Sequence, residues 1–282
     1  MPITPTQSIV QKAFRDGYAV PAINVVNDLT MEAVLAAAEE LHSPMIVQTS
    51  VKTVTSIGLE VLYALWQAMT REISVPIALH LDHCPDRALI SACLARGWDS
   101  VLFDASKLSV AENTRQTIEV VAEARAHGAL VEGEIEGFKR VEELGDAAPP
   151  EPQSLETAVD FIKATGVDIF APAIGNSHGM YKTTPKLDGQ RVSDIVKATG
   201  VPVALHGGTG LTPEQFSDLI GRGCAKVNVS TALKISFMQA GQDHMAQHPG
   251  VFDPPALFAQ QRSAVMEMAR GYIRLFGSEG KA

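Results

Sequence analysis

The chain reads as a closed (β/α)8 barrel, and three observations carry that reading. Short apolar runs bounded by turn residues recur eight times, segments with helical spacing lie between them, and the runs are continuously apolar rather than alternating. Continuous runs suit strands covered on both faces, which is the parallel case. Eight strand–helix alternations in about 230 residues favour closure over the alternative, a doubly wound open sheet. The whole span 1–282 is expected to be one barrel domain, with 253–282 as a C-terminal helical extension. At 282 residues with 46% hydrophobic content, the chain is long enough to bury a large core.

The expected strands are 18–25 (YAVPAINV), 44–50 (PMIVQTS), 75–82 (VPIALHLD), 100–104 (SVLFD), 129–135 (ALVEGEI), 167–174 (VDIFAPAI), 201–206 (VPVALH) and 225–230 (AKVNVS). Between them, 29–42 is apolar at helical spacing. The segment 111–128 starts near Ala111 or Asn113 and ends at Gly128, as a C-terminal cap would. The segment 212–223 opens with Thr212 as N-cap and Pro213 at the first helical position. The stretch 136–153, charged and Pro-rich, is expected to be a long loop over the site.

Composition excludes several classes. A net charge of −9, with no long basic run, argues against nucleic acid or an anionic membrane as partner. No apolar stretch of about 18 residues is present to span a bilayer, and the opening MPITPTQSIVQKAFRDG is not expected to act as a secretory signal. Three cysteines, Cys84, Cys93 and Cys224, lack metal-ligand spacing and fit a reducing cytoplasm. Cys84 is expected to be a small buried residue rather than a nucleophile.

Polar residues gather at the C-terminal ends of the strands: Asn24, Ser50 with Lys52, Asp82 with His83, Asp104, Glu134, His178, His206 and Asn228. Barrel enzymes build their sites at that face, and buried polar groups cost free energy unless they are paired or used. Three imidazoles converging from three strands suit a divalent metal with an open position. His80 and His83, three apart, are not expected to face inward together. That spacing weighs against the His-x-His pair of many metal-dependent hydrolases. SHGMYK (177–182) and HGGTG (206–210) offer backbone N–H groups for a phosphate, and 226–234 adds Asn228, Ser230 and Thr231 at a helix start.

At LHLDHC, SVLFDAS, VEGEIE, AIGNSHGMYK, LHGGTG and KVNVSTALK the chain resembles the class II, zinc-dependent ketose-bisphosphate aldolases, almost end to end. The resemblance implies a lyase that cleaves a fructose 1,6- or tagatose 1,6-bisphosphate into dihydroxyacetone phosphate and an aldehyde. It implies one zinc per subunit on His83, His178 and His206, polarising the ketose and stabilising an enediolate. Asp82 would move the proton of the C4 hydroxyl. Glu134 would be an alternative ligand or an outer partner of the ligands, and Asp104 an outer partner or a ligand to a second metal. Gly179, Lys182, Gly207, Gly208, Thr209, Asn228 and Thr231 would hold the C1 phosphate, beside a Na+ or K+ ion. Asn24, Ser50, Lys52 and Ser230 would also bind the substrate. Glu142, with Glu143 as the alternative, would be the acid–base group in the fifth loop.

Three departures bear on substrate. Ser230 stands where fructose-bisphosphate members usually carry Asp, Lys139 and Arg140 replace a Gly-Gly pair, and Lys52 replaces a small residue. The alternative is the same chemistry on a ketose 1-phosphate with a carboxylate, sulfonate or deoxy distal end, or a non-catalytic sugar-phosphate-binding relative. A homodimer or homotetramer in the cytoplasm is expected from the resemblance. In such an assembly one of Arg262, Arg270 and Arg274 could reach a neighbouring site.

Overall fold

The computed structural model describes residues 3–137, 141, 151–181 and 183–282. Lys139, Arg140, Glu142, Glu143 and Lys182 lie outside the described residues. Eight parallel strands close in sequence order: β1 (Val20–Asn24), β2 (Met45–Ser50), β3 (Ile77–Cys84), β4 (Ser100–Phe103), β5 (Leu130–Gly133), β6 (Ile169–Phe170), β7 (Val203–Leu205) and β8 (Cys224–Val229). β1 pairs with β8, as Ala22 with Asn228, so no edge remains open. The expected strands all form; six run shorter, most of all β6, which keeps only two residues, while β3 and β8 keep their length and shift by two residues and by one. The apolar run 167–174 is buried over 169–172 as expected of a strand, yet its second half has left the ladder.

Eleven described helices accompany the strands: α1 (Thr6–Asp16), α2 (Asp28–Glu40), α3 (Val51–Ile57), α4 (Leu59–Met69), α5 (Arg87–Arg96), α6 (Val110–Ala126), α7 (Leu155–Thr165), α8 (Gly189–Thr199), α9 (Pro213–Gly221), α10 (Thr231–Gln247) and α11 (Pro254–Leu275). α9 begins with a reciprocal capping box between Thr212 and Gln215. α6 is capped by Ser109, whose hydroxyl accepts from Glu112 N–H, not by Ala111 or Asn113. Asn113 instead donates from Nδ2 to the Glu134 carbonyl at 2.9 Å and steadies the end of β5. α11 packs beside α2 and α10, and the last residues return to α2 through Gly280 N–H to Leu41 O and Ala282 N–H to His42 O. On this side Arg262 pairs with Glu32, Arg270 with Glu40 and Arg274 with Glu279. No helix among the described residues is long and apolar enough to cross a membrane.

Inside the barrel the period-2 alternation of strands stacks residues in layers. The floor is small and apolar: Ala22, Ala78, Ala204 and Ala225, with Ile9, Val10 and Ala13 of α1 in the same buried cluster. Alanines there leave the volume that the plugging helix fills. Two positions further along, Ala22 gives way to Asn24, Ala78 to His80 and Ala204 to His206, and all three are buried. The same strands are therefore apolar at the bottom and polar at the top. The larger cluster lies between the strands' outer faces and the helices, with Trp66, Trp98, Phe161, Phe170 and Phe216 among its bulkiest members.

Asp99, just before β4, accepts Leu79 N–H at 2.7 Å and gives its own N–H to Leu79 O at 2.9 Å. Burial raises its carboxyl from 3.8 to about 6, against the pull of that hydrogen bond. Below about pH 4 the group is neutral folded and unfolded, and its favourable contribution is complete. As pH rises through about 6 the folded chain must ionise a half-buried group and that contribution is lost. The ceiling is about 3 kcal/mol, and partial exposure reduces it to about 1 kcal/mol. Asp99→Asn keeps the acceptor oxygen and is expected to raise stability by about that much at pH 7.5 and not at pH 4. Urea unfolding at both pH values checks it, and an equal effect at both would refute the assignment.

Candidate active site

A regular strand sends neighbours to opposite faces, so Asp82 and His83 should not share the barrel mouth. A register shift between Leu81 and Cys84 in the β3–β4 pairing removes the conflict. His83 takes a left-handed φ of 44° at this bulge, a conformation that costs a non-glycine residue about 1 kcal/mol or more. The bulge re-aims His83 inward. It also overturns the expectation that His80 and His83 cannot both face the interior. His80 lies in the polar layer, with Nδ1 2.8 Å from Ser100 Oγ, while His83 lies above it at the mouth.

His206 follows β7 directly and is fully buried. His178 is not at a strand end, as the sequence reading placed it; it lies eight residues beyond β6 in the connection to α8. That loop is pressed against the one after β7. A Cβ on Gly207, whose φ is +64°, would stand 2.2 Å from the Ser177 carbonyl oxygen, so only glycine permits the approach. Asn176 donates from Nδ2 to the His206 carbonyl at 2.9 Å, and Val141 N–H donates to the His178 carbonyl at 2.7 Å. These contacts bring His178 beside His206.

His83, His178 and His206 each offer a ring nitrogen, all within 4.8 Å of one another, and His83, Asp104 and Glu134 form an overlapping second group. His83 Nδ1 lies 3.4 Å from both Asp104 and Glu134, and its Nε2 lies 3.9 Å from Asp82 Oδ1. Three imidazoles with a cavity on one side match the donor set of a catalytic zinc site, three protein ligands and an open position. The residues present therefore fit a divalent metal.

The electrostatics are those of a site built to hold positive charge. Burial opposes ionisation of Asp82, yet His83, Lys226, His206 and His80 together hold it at about 2. Burial raises Glu134 to about 8 against the pull of His83. Burial would also raise Asp104, but hydrogen bonds from His83 and Ser106 keep it below the ordinary carboxylate range. Burial lowers His83, but Glu134 and Asp82 outweigh it and raise the ring well above its ordinary value. The Cys84 thiol is pushed up to about 11 by burial and is no nucleophile.

The mouth opens into a cavity of about 650 Å³ that takes in Asn24, Ser50, Lys52, Asp82, His83, Asp104 and His178. Its wall also takes in Gly179, Gly207, Gly208, Thr209 and Asn228, with Ser230 and Thr231 at the N-terminus of the 17-residue α10. Glycine N–H groups beside a helix N-terminus make an anion cradle. Glu134 lies beneath the histidines rather than on the cavity wall, 1% exposed. Ser50 also caps α3, accepting Thr53 N–H. The cavity wall includes Ser106, Lys107 and Lys234, which the sequence reading passed over. Lys107 lies in the loop after β4, and Lys234 Nζ donates to Ser230 Oγ at 3.0 Å. Below the mouth it also missed Gln48, Glu132 and Lys226, all fully buried. Their signal was available: each stands two residues before a polar strand-end residue, Ser50, Glu134 and Asn228.

A parallel barrel with a three-imidazole cluster at its C-terminal mouth and an anion cradle beside it defines a metal-site barrel enzyme class. Within that class the chain belongs to the class II fructose-bisphosphate aldolase family, whose model matches residues 4–281. A fructose-bisphosphate aldolase from Geobacillus stearothermophilus is 36% identical over 290 residues, covering 100% of this chain and 99% of that one. A sulfofructosephosphate aldolase from Alkalicoccus urumqiensis is 33% identical over 279 residues, covering 98% and 97%. Among solved structures, the YdjI aldolase from Escherichia coli K12 superposes with a TM-score of 0.88 at 31% identity, over 99% of both chains.

Proposed function

We propose that this chain is a zinc-dependent lyase that reversibly cleaves a ketose bisphosphate, of the fructose 1,6- or tagatose 1,6-bisphosphate type, into dihydroxyacetone phosphate and an aldehyde such as glyceraldehyde 3-phosphate. The observation that carries the proposal is the convergence of His83, His178 and His206 within 4.8 Å, with an ionised Asp82 beside them. A bound zinc supplies Lewis acidity toward the substrate's carbonyl and hydroxyl oxygens. Asp82 takes the proton of the C4 hydroxyl as the C3–C4 bond breaks and returns it in the aldol direction. Gly179, Gly207, Gly208 and the start of α10 hold the C1 phosphate, and Asn228 and Thr231 complete that end. Val141 N–H donates to the His178 carbonyl, next in sequence to the acid–base group expected at Glu142.

A second reading keeps the chemistry and changes the distal group. Lys52 and Lys107 give the cavity rim two exposed cations, and Ser230 takes the place of an acidic residue. A sulfonate or carboxylate at the far end of the ketose would meet that rim favourably. The relative named for sulfofructosephosphate supports it. The expected assembly is a homodimer or homotetramer. In support, α10 exposes Ile235, Met238 and Met245, and Phe252 just beyond it is 96% exposed.

The test is cleavage of fructose 1,6-bisphosphate, tagatose 1,6-bisphosphate and 6-deoxy-6-sulfofructose 1-phosphate in parallel, with zinc and after chelation. Release of dihydroxyacetone phosphate that is lost on chelation and restored by zinc is expected from at least one. The rate ratio identifies the distal group. No release from any of the three with zinc bound would overturn the assignment.

A further inference from the structure

We propose that Glu132 and Lys226 are positioning residues, a buried ion pair that orients His206 toward the metal and Asp82 toward the substrate through one continuous hydrogen-bond chain. The proposal rests on the three-histidine metal site.

Both side chains are fully buried in the middle layer of the barrel, which branched apolar residues ordinarily fill. As a stabilising device the pair is a poor choice. Two buried charges lose several kcal/mol of hydration each, and apolar residues of like volume often serve stability as well or better. Their partners point to another use. Glu132 Oε1 lies 2.6 Å from His206 Nε2, and Oε2 lies 2.8 Å from Lys226 Nζ. Lys226 Nζ donates to Asn228 Oδ1 at 2.6 Å, and Asn228 Nδ2 donates to Asp82 Oδ1 at 3.3 Å. The other oxygen, Asp82 Oδ2, accepts from Asn24 Nδ2 at 2.8 Å, and Asn24 Oδ1 accepts from Gln48 Nε2 at 2.8 Å.

The chemistry of the two charged groups sets every direction in the chain. A carboxylate only accepts, so His206 carries its proton on Nε2 and turns Nδ1, the nitrogen nearer Glu134, toward the cluster of imidazoles. An ammonium only donates, so Asn228 must turn its oxygen to Lys226 and its NH2 to Asp82. Asp82 thereby receives an amide donor on each oxygen, which fixes its plane and leaves its remaining lone pairs to the cavity. His206 after β7 and Asp82 on β3, which meet no common neighbour in sequence, are held in register by β5 and β8 beneath them.

Zinc affinity, measured by competition with a chromophoric chelator, tests the proposal without an activity readout. The double variant E132Q/K226M removes both charges and leaves no lone buried ion. It is expected to fold, by circular dichroism and melting, and to bind zinc 10- to 100-fold more weakly than wild type. Its kcat is expected to fall further than any change in KM, because the Asn228–Asp82 geometry is released. Should it not fold, Glu132→Gln alone keeps shape and an acceptor oxygen, and about a tenfold loss of zinc affinity is expected of it. A purely structural pair would lower the melting temperature and leave the folded variant's zinc affinity within twofold of wild type, and that result overturns the proposal. Wild type that fails to bind zinc at all would instead overturn the metal site on which it rests.

Discussion

Under the proposed function, Asp82→Asn is expected to lower kcat by about 10²- to 10⁴-fold, the range for loss of a positioned acid–base group, with zinc still bound and dihydroxyacetone phosphate affinity little changed. Asp82 receives Asn24 and Asn228 on its two oxygens and is held at about 2 by the positive groups around it. It is therefore ionised at any pH where the protein works, a base ready to accept a hydroxyl proton. Asparagine reproduces its outline and cannot take that proton. Since Asp82 belongs to neither group of potential metal ligands among the described residues, the metal should stay. Steady-state kinetics with chelator competition on the same preparation make the measurement. A kcat within tenfold of wild type would move proton transfer to another group, and loss of zinc would make Asp82 a ligand. Asp82→Ala is the harsher control, because it also releases the two amides.

The barrel could be read from the sequence because its signals are local. Each strand is a short apolar run, and most of the helices that follow carry a cap such as Thr212 or a glycine such as Gly200 just past the end. The mouth was legible for a related reason: a polar residue closing an apolar run is conspicuous, and His206, Asn228 and Asp82 all have that form. What could not be read depends on registration between strands or on contact between loops. The bulge that lets His83 join Asp82 is a property of the β3–β4 pairing and has no signature within LHLDHC. His178 looked like a strand-end residue because the apolar run 167–174 precedes it, yet the ladder stops at Phe170 and the loop is seated by Asn176 and Gly207. Glu132 and Lys226 were hidden because an isolated charge in an apolar run reads as an outward residue, until its two-residue offset from Glu134 or Asn228 puts it on the inner face.

If zinc sits as proposed, His206→Ala and His178→Ala are both expected to cost zinc affinity, by more than the 10- to 100-fold that loss of an outer partner causes, but only His206→Ala is expected to weaken the metal-free fold. His206 is fully buried and its Nε2 satisfies Glu132 Oε1 at 2.6 Å. Truncation leaves that carboxylate short of a donor in the barrel interior and opens a void beside it. The cost expected is about 2–3 kcal/mol, below the ~3–5 kcal/mol of a fully broken buried pair because Lys226 still holds the other oxygen. For a chain of this size that is a fall of roughly 3–5 °C in the metal-free melting temperature. His178 is half-buried on a loop held by backbone contacts, through its own carbonyl to Val141 and through Asn176 to His206. Its ring stands edge-on to His83 with centroids 5.0 Å apart at the half-buried mouth, a smaller loss than that of a buried ring bonded to a carboxylate, so His178→Ala is expected to melt within about 2 °C of wild type without metal. Calorimetry of the chelated proteins separates the two cases. Equal melting temperatures for both variants would mean that Lys226 holds Glu132 adequately without His206. A large drop for His178→Ala would mean that its ring braces the loop as well as facing the metal.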